Sequence, residues 1–302
     1  VSTVPAAALD ALGLESEALD GAVELVPFVS PGHRATGNRV LLLGDAVLRV
    51  PSADAAALRS ASAGVAAARR AGELGLGPRV VWSDPETGVL VLERADGARE
   101  ARIEDLWGPF LGSALAALRA FHATPALGHP TGLRERLDDL AGRLEATDAP
   151  RPPDLDALVA GARSIAAAMA SSGVDPAPCH LHPVASNLLV RPDGTALLVD
   201  WDEAGDADPW WDLGALLQEA CTFDDEWHAG AERAVGRADP ASVARLRLYG
   251  LADDVLWGLW AALLGGTSPR REIEFFKYAS WRFMRARRGL ADERMGTWLR
   301  TA

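Results

Sequence analysis

The chain has 302 residues, 49% of them hydrophobic and 24% charged, which suits a globular protein that buries a sizeable core in one large or two linked domains. A net charge of −12 argues against non-specific binding to nucleic acid or to an anionic membrane, because both need a basic surface. Two cysteines, Cys179 and Cys221, offer neither a disulfide framework nor a metal-ligand spacing, so a reducing, cytoplasmic setting is expected.

The first twenty residues carry acids and lack the basic start and apolar core of a secretory signal. No apolar run approaches the roughly 20 residues needed to span a bilayer. Residues 23–50 hold three apolar, β-prone runs separated by turns bearing Gly, Pro and Asp, the pattern of an antiparallel meander. Residues 53–75 are alanine-rich and free of proline, which predicts one helix. Two further strands follow, PRVVWSD and GVLVLERA, joined by the turn Asp84–Gly88. Three strands, a helix and two strands predict a small five-stranded lobe with a single helix. From about Asp96 the chain changes character. LGSALAALRAFHATP, the run near 133–147 and DALVAGARSIAAAMASSG are amphipathic helices punctuated by Pro125, Pro130 and the cluster at 150–153. NLLV-RPDG-TALLVDW is a hairpin turning at Asp193-Gly194, and the stretch from Trp211 to Trp298 is again helical.

Asp200 ends the apolar strand of that hairpin, so its carboxylate emerges at the strand end as a hard oxygen ligand suited to Mg²⁺. Asn187, just before the preceding strand, is placed to supply a second oxygen. Taken alone, each is an ordinary turn residue. Arg49 sits within the strand AVLRVP, and a guanidinium can hold phosphate bidentately. The loop 31–38, with Thr36 and Asn38, can drape backbone amides over phosphates, although a lone Gly-bearing turn is usually only a turn. Trp257 and Trp260 share a helix face one turn after Asp253 and Asp254. Aromatic faces beside carboxylates suit a cationic amine at about 0.5–2 kcal/mol per contact, while tryptophans at helical spacing equally suit a core. His33, His122, His129 and His228 are scattered and read as surface or packing residues.

The segment VDWDEAGDADPWWDLGALL resembles the aminoglycoside phosphotransferase and choline kinase superfamily, whose metal strand runs I-D-W-x-x-A-G-x-G-D-P-x-x-D-L-A. Asp200, Trp201, Ala204, Gly205, Asp208, Pro209, Asp212 and Leu213 fall in register. The strand around Arg49 is similar to Y-V-L-R-I-P of the choline kinase branch, and EFFKYASWRFMRAR to a late helix of bacterial relatives. The resemblance implies an α+β, bilobal protein-kinase-like fold. A small antiparallel β-sheet lobe with one helix, residues 1–96, would bind nucleotide; a larger helical lobe, residues 97–302, would carry catalysis and substrate. It further implies Mg²⁺ on Asp200 and Asn187, ATP or GTP as donor, and phosphates on Arg49. Glu93 and Ala95 would lie at an adenine-facing hinge, and Asp212 would brace the catalytic loop. Substrate would meet Trp211, Asp253, Asp254, Trp257, Trp260 and Trp281.

The family's catalytic loop reads H-G-D-x-x-x-x-N. Aligned without gaps on Asn187, this chain reads His180-Leu181-His182, and His182 takes the aspartate's place. Aligned instead on Leu-His-Pro, His180 takes it and the loop gains two residues. The carboxylate is absent either way. General-base help of the kind that aspartate gives is worth about 10²–10⁴-fold. A neutral imidazole, with a pKa near roughly 6.5, is able to accept a proton at pH 7 but is bulkier and uncharged. The helix after Arg49 has no glutamate before Glu73, so the usual partner of the strand cation is missing; Asp54 is the only earlier acid. A zinc site from His180, His182 and Asp200 rests only on a weak i, i+2 pair. The expected activity is transfer of the γ-phosphate of ATP or GTP to a hydroxyl of a small metabolite or antibiotic, amine-bearing molecules among them. The alternative is a catalytically silent binder, or altered chemistry on the same scaffold. The sequence is silent on oligomeric state.

Overall fold

The computed structural model describes residues 4–25 and 37–302. The chain opens with α1 (Ala6–Asp10), a 3-10 turn and β1 (Val23–Leu25). Then come β2 (Asn38–Leu43), β3 (Ala46–Pro51), α2 (Ala53–Ala56), α3 (Ala61–Glu73), β4 (Val80–Ser83) and β5 (Leu90–Glu93). The five strands form one sheet in the order β1-β2-β3-β5-β4, every pair antiparallel. Strand side chains alternate between faces. Leu41, Leu43, Leu48, Val50 and Val91 therefore face one way and pack on Ala8 and Leu9 of α1. Val40, Val47, Arg49 and Leu92 line a cavity on the opposite side. The first residues, assigned no structure from sequence, thus cover one face of the sheet.

The single helix expected over 53–75 is two. The chain breaks after α2, and Ser60 caps α3 by accepting a hydrogen bond from the Ala63 amide at 3.4 Å. The intervening Arg59 side chain is held by the Gly37 and Ala55 carbonyls at 3.1 and 3.2 Å. Alanine propensity carries no information about that break, because it is set by the tertiary partners of Arg59.

The larger lobe begins at β6 (Arg99–Glu100) and continues through α4 (Phe110–His122), α5 (Leu133–Glu145), α6 (Leu155–Ser172) and β7 (Ala177–Cys179). The hairpin β8 (Leu188–Val190) and β9 (Ala196–Leu198) is followed by β10 (Gly205–Ala207), α7 (Pro209–Ala220), α8 (Asp224–Val235), α9 (Pro240–Thr267), α10 (Phe275–Leu290) and α11 (Met295–Thr301). Leucine, alanine and tryptophan occur all round α9, so it is buried nearly throughout and forms the lobe's axis. α7 crosses it closely: a Cβ on Gly214 would stand 2.4 Å from the Leu246 carbonyl oxygen. β6, β8 and β9 form a three-stranded sheet, and β7 pairs with β10. That second pairing sets the loop after Cys179 beside the segment after Asp200. Among the described residues, no helix is long and apolar enough to cross a membrane.

Candidate active site between the lobes

Pairing of Leu188 with Leu198 brings the two ends of the hairpin together, and the Val199 amide donates to the Asn187 carbonyl at 3.0 Å. Asn187 and Asp200 therefore emerge side by side. Asp200 has φ of +65°, a left-handed conformation that Asp tolerates better than most residues. Its Oδ1 accepts from Arg49 Nη2 at 2.8 Å and from Asn38 Nδ2 at 3.1 Å. Its Oδ2 takes no hydrogen bond from the described residues, and 33% of the side chain stays open. Protein walls the carboxylate on several sides, and this burial raises its pKa against the pull of Arg59 and His180. Asn187 uses its amide nitrogen within the loop, and its Oδ1 takes no hydrogen bond from the described residues. Two hard oxygens without donors among the described residues, side by side, fit Mg²⁺.

Both residues line a cavity of about 190 Å³ whose remaining wall is largely Val40, Val47, Leu92, Leu189 and Val199. Asn38, Arg49, Glu93 and Ala95 line it too. An apolar slot with polar groups at one end is the usual form of a small-molecule site. Thr36 and the rest of 31–36 lie outside the described residues.

Arg49 pairs with Asp200 and with Asp202, and Arg59 also pairs with Asp202. The strand cation finds its carboxylates just after β9, not on the following helix. Asp54, the remaining helix candidate, pairs with Arg270 at 2.9 Å. Arg59 and Asp202 were missed in the sequence; the only hint was a second acid two residues after Asp200.

Asp212, fully buried near the start of α7, accepts from the amides of His180 at 2.7 Å and Leu181 at 2.6 Å, and lies 2.9 Å from His122 Nε2. It ties α7 and α4 to the loop and holds Leu181 at φ +63°, where the related loops carry glycine. His122, Cys179 and Asp212 have ligand atoms within 4.8 Å of one another. The carboxylate is spent on these three donors and the thiol faces the Ala207 carbonyl at 3.5 Å, so the cluster is a hydrogen-bonded core. Among the described residues, His180, His182 and Asp200 do not converge as a ligand set.

His180 does not stand as a base. It is fully buried, its Nε2 lies 2.9 Å from the Val199 carbonyl, and its Nδ1 accepts from the His182 amide at 3.3 Å. A carbonyl only accepts, so Nε2 carries the proton and both nitrogens are engaged. His182 stacks on Trp257 at 3.6 Å between ring centroids. Asn187 Nδ2 donates to the His182 carbonyl at 3.0 Å and lies 3.1 Å from His182 Nδ1. The carbonyl identifies that atom as the NH₂ end, so Nδ1 is an acceptor and the neutral ring holds its proton on Nε2. Among the described residues, Nε2 is buried with no hydrogen-bond partner. Burial, reinforced by repulsion from Arg282, His180, Arg136 and Arg59, keeps the ring well below its ordinary pKa of 6.5. The ring expected as a proton acceptor thus presents a donor.

The aromatic and acidic cage expected on the late helices is filled from within. Arg282, 1% exposed, pairs with Asp254 at 2.9 Å, stands 3.6 Å from Asp253 and lies over the Tyr278 ring at 5.1 Å. Arg285 pairs with Asp254 and Glu219. The Trp211 indole donates to Asp253 at 2.8 Å. These buried acidic groups already have partners within the fold, the Trp211 indole among them. Trp257 is covered by His182 and packs edge-on against Trp260 at 5.2 Å. Trp281 lines a different cavity, of about 740 Å³, with Trp227 and Trp298. Nothing in the late-helix motif signals that its own arginine fills the cage.

A five-stranded sheet lobe, a helical lobe and paired oxygens between them define a kinase-like phosphotransferase fold. Residues 31–248 match the phosphotransferase enzyme family, and the chain belongs to it. Among solved structures it is similar to a choline/ethanolamine kinase family protein from Mesorhizobium loti, with 27% identity, a TM-score of 0.75, and coverage of 87% of this chain and 88% of that one. It shares its fold with the choline kinase LicA from Streptococcus pneumoniae (21% identity, TM-score 0.73, coverage 89% and 94%). The GDP complex of an aminoglycoside 2'-phosphotransferase also shares it (16% identity, TM-score 0.59, coverage 87% and 91%). No curated protein sequence matches the chain.

Proposed function

We propose that this phosphotransferase moves the γ-phosphoryl group of ATP or GTP to an oxygen of a small molecule, with Mg²⁺ on Asp200 and Asn187. The pair of donor-free oxygens at the mouth of the apolar slot carries the reading. The metal, when bound, would neutralise charge on the phosphate oxygens. Arg49 is placed to exchange a carboxylate partner for phosphate, and Glu93 and Ala95 offer backbone groups beside the apolar wall. We take 1–96 as the nucleotide lobe and 97–302 as the catalytic lobe, since β5 ends at Glu93 and β6 already pairs with β8. Two unpaired cysteines suit a cytoplasmic setting. A cationic acceptor, as the names of the choline and ethanolamine kinases suggest for those proteins, loses support from the Arg282-filled cage.

A second reading, a silent nucleotide binder, draws on the missing loop carboxylate. Thermal denaturation with Mg²⁺ plus ATP or GTP tests what the two share. Nucleotide at 100 times its Kd stabilises by about 2.7 kcal/mol, so a clear rise in Tm is expected. No rise at millimolar nucleotide would sink both. Release of diphosphate in the presence of an acceptor then separates enzyme from binder.

A further inference from the structure

Resting on that phosphotransferase reading, we infer that Asp54 and Arg270 are positioning residues for the nucleotide phosphates. Their ion pair straps the segment after β3 to the larger lobe and so keeps Arg59 on Asp202, which releases Arg49 for phosphate. Residues 53–60 follow a strand of the small sheet, yet they pack with the other lobe. Ala55 is fully buried in the core that α5, α6, α9 and α10 build, and Leu58 lies against the same core. The next helix goes elsewhere, since Val65, Ala67 and Ala71 of α3 pack in the cluster that holds α4 and β9. With only four residues, α2 is too short to hold its own conformation. Its place is set by what its two ends grip.

Both ends grip the larger lobe, with opposite polarity. At the start, Asp54 Oδ2 accepts from Arg270 Nε at 3.0 Å and Nη2 at 2.9 Å, and Arg270 lies in the loop between α9 and α10. Asp54 Oδ1 accepts from the Ala55 amide at 3.0 Å, and the Arg270 guanidinium lies over the Phe275 ring at 5.3 Å, so each partner is itself held in place. Just past the far end, Arg59 pairs with Asp202 and donates to the Gly37 carbonyl at 3.1 Å. Asp202 is shared, because Arg49 pairs with it as well. It is 9% exposed, and a buried carboxylate stripped of its cation is strongly destabilised. With two guanidinium partners it can release one and stay neutralised; with one it cannot. While Arg59 stays, Arg49 is therefore able to turn to a phosphate. Once the strap opens and Arg59 leaves, Asp202 holds on to Arg49. Neither Asp54 nor Arg270 lines the apolar slot, so both act through Arg59.

The test compares the full chain with Asp54→Asn, with Arg270→Gln, with both together and with Arg59→Gln. Calorimetry gives the affinity for MgATP and for adenosine, which has no phosphate, and hydrogen exchange follows the backbone of α2. Each single variant should bind MgATP about 10-fold more weakly, the scale of one hydrogen bond to a charged group, and adenosine as tightly as before. Asp54→Asn combined with Arg270→Gln should cost no more than the worse of the two, because both break the same pair. The amides of residues 55–59 should lose protection in these variants while those of α3 keep theirs. A pair that served stability alone would lower Tm, or weaken both ligands alike, without changing the ratio of MgATP to adenosine affinity. Unchanged MgATP affinity, an equal loss for adenosine, strictly additive losses or undiminished protection of α2 would each overturn the inference and leave nucleotide binding standing. Absence of MgATP binding in the unmodified chain would instead sink the reading on which it rests.

Discussion

Replacing Asp212 by Asn changes one oxygen to NH₂ and leaves size and shape nearly intact. The carboxylate takes the Leu181 amide on Oδ1 and the His180 amide on Oδ2, where His122 Nε2 also lies. An asparagine oxygen can keep the Leu181 amide, but its NH₂ then faces the His180 N–H at the 2.7 Å now occupied by a hydrogen bond. His122 can adapt by changing tautomer; a backbone amide has no such choice. One hydrogen bond to a charged group is lost, about 1.5–3 kcal/mol, and one buried donor is stranded, about 1–3 kcal/mol. Since these overlap, the expected cost is about 3–5 kcal/mol out of the roughly 5–15 kcal/mol that holds a domain together. At about 2–4 °C per kcal/mol, Tm should fall by roughly 10 °C, and the urea midpoint should drop with it. Hydrogen exchange should locate the damage in the His180 and Leu181 amides, which lose protection beyond the global change. A variant within about 2 °C of the parent in Tm, with both amides still protected, would show that Asp212 is not what holds the loop.

Leu181→Gly removes a left-handed strain of about 1–2 kcal/mol, yet it also strips a fully buried side chain worth about 1.5–3 kcal/mol and loosens the unfolded chain. Burial should win, with the urea midpoint lower; a stabilised variant would show that strain dominates. Gly214→Ala places a Cβ 2.4 Å from the Leu246 carbonyl oxygen and 2.9 Å from the Tyr249 Cβ. α7 and α9 must part at a cost of about 1–3 kcal/mol, seen as a lower Tm, and an unchanged Tm would refute the close crossing. Burial holds the Asp253 carboxyl up at about 7, because the nearby Arg282 charge is shared with Asp254 and Glu219. The folded chain therefore keeps a proton that the unfolded chain releases near its ordinary 3.8, and the stability present at low pH is lost as pH rises towards 7. Asp253→Asn should remove that slope between about pH 4 and 7, read as the pH dependence of the urea midpoint, and parallel profiles would disprove it.

Much of the frame was legible because it is written in neighbouring residues. The two-residue alternation in β2 and β3, the turn at Asp193-Gly194 and the spacing from Asp200 to Leu213 are each local, and they place Asn187 beside Asp200 without further information. The break between α2 and α3 was not legible, since the pull on Arg59 comes from Asp202, far along the chain. Nor was α1, whose short apolar run means little until a sheet face lies beneath it.

The residue order alone establishes which chemistry-bearing side chains sit at the open end of the hairpin and that position 182 lacks a carboxylate, because identity and short-range spacing need no third dimension. Only folding decides which nitrogen of His182 bears its proton, which cation fills the acid cluster on α9, and which oxygens are left without partners. Each of those outcomes depends on hydrogen-bond and ion-pair partners from other elements, and a buried polar group takes its state from whatever donor or acceptor is packed against it.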